Sequence, residues 1–231
     1  MTLRLVCFCV AVFVLVAPSN AGAILSPVAM LANSAGEAAP GDAAHVFDQS
    51  GLSSTFTSGV TDFATYMAGS PSHTFLYSGF EWFSSLGVHS GFFIFDLGAA
   101  YNLLHVADWN DEFSGLTSLT VSTCATAACA APVAIGGGTP TNWPDTVTSY
   151  TADVFALSGA SSRYLRIDMT GPQALADYDG LSMGEIAFDV TPAAAPEPSS
   201  LFLIASGALV FGIRRLRVAA KVRPNGPAAA Q

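Results

Sequence analysis

Gly91-Phe92-Phe93-Ile94-Phe95-Asp96-Leu97-Gly98 decides the fold. The run is aromatic and β-branched, glycines bound it, and Asp96 is its one charge. Such side chains fit the pleated, half-buried surface of a strand, and the run has a strand's length rather than a helix's. Downstream, Tyr101-Asn102 reads as a turn and Leu103 to Asn110 as a second strand. Leu116 to Ser122 alternates, with Leu119 and Val121 on one face and Ser118, Thr120 and Ser122 on the other. Arg163 to Met169 alternates more strictly: Leu165, Ile167 and Met169 share a face, and Arg166 and Asp168 share the opposite one. Period-2 alternation marks strands with one face in the core. Leu181 to Val190 reads as the last strand, and Gly136-Gly137-Gly138-Thr139-Pro140 as a loop. Upstream, Thr55 to Tyr66 is rich in Thr, Phe, Val and Tyr and reads as strand or ordered loop. No long amphipathic helix interrupts the pattern, which predicts an all-β sandwich (jelly roll) over residues 46–190. Residues 24–45, rich in Ala, Ser, Pro and Gly, read as a leader with an early strand near residues 24–30.

The two ends carry targeting signals. Arg4, the apolar run Leu5 to Val16, the break Pro18-Ser19-Asn20 and the small residues Ala21-Gly22-Ala23 have the layout of a signal peptide over residues 1–23. The expected cut falls after Ala23 or after Ala21, and the chain is exported across the inner membrane. At the other end a Pro-rich linker, residues 191–198, finishes in Pro196-Glu197-Pro198. Ser199 and Ser200 can cap a helix over the apolar run Leu201 to Ile213, and Arg214, Arg215 and Arg217 follow. Residues 199–217 therefore read as a short transmembrane helix with a cytoplasmic arginine cluster, and residues 218–231 as a disordered tail. The apolar run reaches only roughly 20 Å as a helix against about 30 Å of hydrocarbon, a marginal permanent anchor.

Charge is distributed unevenly. Residues 24–198 hold two basic side chains, Arg163 and Arg166, against all 17 acidic ones, a formal −15. A surface of that sign repels phosphate backbones, which argues against a nucleic-acid partner and leaves room for divalent cations. Cys7 and Cys9 leave with the signal peptide. Cys124 and Cys129 remain in an oxidising compartment, and their spacing fits a disulfide across a hairpin tip.

Little points to catalysis. His45, His73, His89 and His105 fall in separate segments without metal-ligand spacing, and no Gly-x-Ser-x-Gly elbow or phosphate-binding loop occurs. We read the chain as no enzyme. Trp143, between Asn142 and Pro144, is the candidate ligand-contacting aromatic, with a lid over one end of the sandwich as its alternative. Asp108, Asp111 and Glu112 read as a solvated turn, with a metal loop or a sugar-contacting edge as the alternative.

Two resemblances sharpen these expectations. The order Pro196-Glu197-Pro198, Leu201 to Ile213, then Arg214, Arg215 and Arg217 resembles the PEP-CTERM sorting signal, also called the ice-binding protein C-terminal domain. The resemblance implies recognition by an exosortase, a membrane-embedded cysteine transpeptidase, and a link to exopolysaccharide and biofilm matrix. No regular threonine array supports an ice-binding body. Phe95-Asp96-Leu97-Gly98, Trp109-Asn110, Arg163-Tyr164-Leu165-Arg166-Ile167 and Glu185-Ile186-Ala187-Phe188, in that order, resemble the galactose-binding-like (discoidin-type) jelly roll. That resemblance implies a calcium ion (Ca2+) between Asp48, the carbonyls of Gln49 to Leu52, and Glu185. The alternatives are a Glu185 facing solvent or paired with Arg163 or Arg166. The expectation is thus an exported protein of the cell envelope or extracellular matrix. It is held transiently at the membrane and sorted by an exosortase, and its non-catalytic sandwich binds polysaccharide. A structural matrix protein without a ligand site is the alternative, and a secreted hydrolase comes third.

Overall fold

The computed structural model describes residues 22–193, apart from Pro40, residues 76–78, Phe113, Asp145 and residues 172–177. The signal segment up to residue 21, the Pro-Glu-Pro motif, the apolar run, the arginine cluster and the tail lie outside the described residues. Among those described, no helix is long and apolar enough to cross a membrane.

The strands are β1 (Ala23–Leu25), β2 (Ala29–Asn33), β3 (Ser72–Thr74), β4 (Trp82–Phe83), β5 (Ser90–Trp109) and β6 (Ser118–Cys124). They continue with β7 (Val133–Gly138), β8 (Ser149–Thr151), β9 (Asp153–Ala156), β10 (Ser161–Thr170), β11 (Ser182–Met183) and β12 (Glu185–Pro192). The opening stretch is the first half of β5, and β5 organises the molecule. Its first half pairs antiparallel with β10 and β2; its second half, from His105 to Asp108, pairs with β9. β10 continues to β6 and β6 to β7, while β12 joins β5 to β1. The result is a sandwich of antiparallel sheets that share β5.

Alternation places the core. Phe93, Phe95, Leu119, Val121, Leu165, Ile167 and Met169 all lie in one apolar cluster and are at most 2 % exposed. Leu25 of β1 and Ile186, Phe188 and Val190 of β12 join it. A second cluster gathers Ile24, Phe56, Phe63, Trp109 and Tyr150 around the other end of β5. The Trp109 indole nitrogen donates to the Pro71 carbonyl at 2.9 Å, so the ring is core.

Several expectations need correction. Residues 24–45 are not a leader: β1 pairs with β12 and β2 with β5, because Ile24 and Leu25 supply apolar area the core uses. The last strand runs through Pro192 rather than ending at Val190, and it starts anew after Gly184. No turn interrupts β5 at Tyr101-Asn102. Both residues stay paired with β10, and the chain bends at Gly98, whose φ of 81° no β-branched residue would adopt cheaply. Residues 63–68 form a short helix, α1 (Phe63–Ala68), because the Asp62 carboxylate accepts from the Thr65 amide at its N-terminus. Gly136 to Gly138 belong to β7. A Cβ at Gly137 would stand 2.1 Å from the Leu119 carbonyl oxygen, so the glycines permit close strand approach rather than a turn.

Candidate functional site

The Glu185 carboxylate is the best-developed part of the site. β12 carries it inward, and the residue is fully buried. Its Oε2 accepts from the Gln49 amide at 2.8 Å, while Oε1 has no hydrogen-bond partner among the described residues. Burial pushes its pKa well up, and the negative charge of Asp48 adds to the push. The reading of Glu185 as solvent-facing is therefore overturned. The arginine readings fail as well: Arg163 pairs with Asp96 at 2.8 Å and Arg166 with Asp168 at 2.5 Å.

The loop opposite is built for a tight backbone. Gln49 has φ of 66° and Gly51 of 80°, both in the left-handed region that tight loops use. The Gln49 side chain accepts from the Phe56 amide at 2.8 Å. The Asp48 carboxylate accepts from the Ser50 amide and hydroxyl and lies 3.2 Å from the His45 ring nitrogen. Asp48 and Glu185 are thus brought to the same loop, but only Glu185 offers an unused buried oxygen.

The acidic turn is not solvated. Asp108 and Asp111 are fully buried, Glu112 is 4 % exposed, and Glu81 joins them, also fully buried. Burial pushes the Asp108 and Asp111 carboxyls well up; Asp153 reinforces the first and Glu112 the second. His73 and Tyr150 sit among them: His73 Nδ1 lies 3.7 Å from Glu81 Oε1 and 3.0 Å from the Tyr150 hydroxyl. Burial pulls the His73 pKa down and drives that of Tyr150 up. The sequence missed this assembly because its members come from four separate segments, around His73, Glu81, Asp108–Glu112 and Tyr150. Its one local signal was a charge, Glu81, set against the apolar pair Trp82-Phe83.

Trp143 is half-buried against the second core cluster, with its indole nitrogen sequestered and without a hydrogen-bond partner among the described residues. Cys124 and Cys129 form a disulfide at the end of β6.

The outward face of the sheet carries a cleft of about 440 Å³. Strand register assembles it. Asp168 stands opposite Phe92 on β5 and Thr120 on β6, and Thr170 stands opposite Ser90 and Ser118. Arg166 lies on the same face as Asp168, and Ser34 closes one side. The Arg166 guanidinium stacks over Phe92, its central carbon 3.8 Å from the ring centroid. Its Nε donates to both Asp168 oxygens, at 2.9 and 3.0 Å, and Nη2 donates to Oδ1.

The chain's C-terminal segment has its own identity. There a Pro-Glu-Pro triplet precedes an uncharged apolar run and a triple-arginine stop. Residues 194–217 match the PEP-CTERM protein-sorting motif. The PEP-CTERM match covers the tail alone. No curated protein matches the chain. Among solved structures the sandwich is similar to the C-terminal domain of a chitobiase from Bacteroides fragilis, with TM-score 0.49 and 12% identity over 74% of this chain and 99% of that one. It is also similar to chitosan-binding module 1 of a chitosanase/glucanase from Paenibacillus sp. IK-5, with TM-score 0.46 and 18% identity over 71% of this chain and 95% of that one.

Proposed function

We propose that this is an exported protein of the cell envelope or extracellular matrix, sorted by an exosortase through its PEP-CTERM tail, and that its sandwich binds polysaccharide without catalysis. The observation that carries the reading is the motif match over residues 194–217. Delivery by such a tail takes the protein out of the cytoplasm, and the acidic body suits release into water once the arginines are gone. Proline locks φ and disfavours helix at the preceding residue, so a Pro-Glu-Pro sequence suits recognition as an extended segment. The short run before Arg214 suits a handle for processing better than a lasting anchor.

Glu185, with Asp48, is where a calcium ion would draw its carboxylates, although no group of three His, Cys, Asp or Glu side chains is gathered among the described residues. Calcium takes several hard oxygens, carboxylate and carbonyl. The buried Glu185 Oε1 has no hydrogen-bond partner among the described residues, whereas the Gln49, Ser50 and Gly51 carbonyls already accept from the Leu52 amide, His73 Nε2 and the Thr74 amide. In this reading Glu185 and Asp48 supply charge, and the ion ties β12 to the loop.

Replacing Pro196, Glu197 and Pro198 together by alanine tests the sorting. In the native host the variant is expected to accumulate in the inner-membrane fraction at full length, while the parent protein leaves that fraction. Equal release of both would contradict exosortase sorting.

A further inference from the structure

We infer that the cleft on the outward face of β5, β10 and β6 is the polysaccharide site, and that its ligand is a neutral, hydroxyl-rich glycan. The inference rests on the polysaccharide reading above and adds its location and ligand class.

The cleft's chemistry singles out hydroxyls. Arg166 uses Nε and Nη2 on Asp168, which leaves N–H groups of the guanidinium and lone pairs of the carboxylate unspent by that pair. Donor and acceptor thus sit side by side. A sugar hydroxyl both donates and accepts, so a vicinal pair of hydroxyls can bridge the two groups at once. Phe92 holds the guanidinium plane in place, so little side-chain freedom remains to be lost on binding. Around the pair are small hydroxyl side chains, Ser90, Ser118, Thr120 and Thr170. They give the cleft hydrogen-bonding groups without filling it.

Charge fixes the class. Arg166 is one of two basic side chains between residues 24 and 198, and Asp168 already neutralises it. A uronate carboxylate arriving there would face Asp168 and a body of formal charge −15. A cationic glycan would be drawn to the acidic surface at large rather than to a balanced pair.

Affinity gel electrophoresis of the full-length protein in mild detergent tests this. The neutral probes are mixed-linkage β-glucan and galactomannan, the acidic ones alginate and polygalacturonate, and chitosan is the cationic one. We expect retardation by a neutral glycan that persists in about 0.5 M salt, where surface charge is screened. Arg166→Met and Asp168→Asn should each weaken it roughly tenfold or more, as loss of a charged hydrogen-bonding partner does. Arg163→Met, whose carboxylate partner Asp96 lies outside the cleft, should bind as the parent does. If the charge variants fail to fold, Thr120→Val and Ser118→Ala remove hydroxyls alone and carry the same expectation of weaker binding. Neutral-glycan binding untouched by every cleft variant overturns the site, and salt-resistant binding to uronates or chitosan alone overturns the ligand class. No binding to any probe overturns the polysaccharide reading itself and the inference with it.

Discussion

Glu185 holds one carboxylate oxygen on the Gln49 amide and leaves the other bare in the interior. Together with Asp108 and Asp111 it makes three fully buried carboxyls whose folded pKa values are raised, chiefly by burial. A group that is raised on folding binds more protons in the folded state than in the unfolded one. Stability therefore falls as pH climbs from the unfolded carboxylate range towards the folded pKa, by at most about 1.4 kcal/mol per pH unit and group. His73, lowered by burial, acts in the opposite sense and costs stability as pH falls below its unfolded value near 6.5. Three carboxyls against one imidazole give the expected sign. In EDTA, thermal unfolding should come at a higher temperature near pH 5 than near pH 8. Millimolar calcium should raise the melting temperature at pH 8, and Glu185→Gln should raise it in EDTA while abolishing the calcium response. A calcium response that survives in Glu185→Gln would remove Glu185 from the ion. From the sequence alone, Glu185 could be singled out as a charge in an apolar strand, but its surroundings could not. Asp111 and Glu81 converge through β4, β11 and the end of β5, contacts that no local pattern encodes.

The hairpin that β6 opens is closed near its tip by Cys124–Cys129. Cross-linking so short a loop removes little unfolded-chain entropy, about 2 kcal/mol on the chain-entropy account. Reduction, or Cys124→Ser with Cys129→Ser, should lower the melting temperature by roughly 4–8 °C and leave the far-ultraviolet circular dichroism of the folded state unchanged. Loss of the β signal at ambient temperature would show that β6 depends on the bridge. Strands with one buried face were readable residue by residue: β6 and β10 show in the alternation of Ser118 to Ser122 and Leu165 to Met169. Of the polar halves of those alternations, Ser118, Thr120, Arg166 and Asp168 line the cleft, while Ser122 is buried. Elements set by close approach were not readable. Gly136 to Gly138 look like a loop until Leu119 and Phe155 are seen beside them, and β1 is too short to announce itself. β1 also bears on export. The Gly22 carbonyl accepts from the Phe63 amide and Ala23 pairs with Val190, so of the two expected cuts only the one after Ala21 keeps both.

On the scale of the whole chain, structure and charge divide the work. The sandwich holds all the acid residues save Glu197, and apart from Arg4, Arg163 and Arg166 the basic ones follow the apolar run. On the proposed reading, removing the tail takes away most of the basic side chains and leaves a strongly acidic body. The tail was legible because its signal is linear: rigid triplet, apolar run, arginines. The cleft was not, because Arg166, Asp168, Phe92 and Thr120 meet only through strand register. Intact-mass spectrometry of the exported protein from its native host tests the central claim most directly. The account predicts a species that has lost the Arg214–Arg217 cluster. An exported form that still carries Arg214, Arg215 and Arg217 would contradict it.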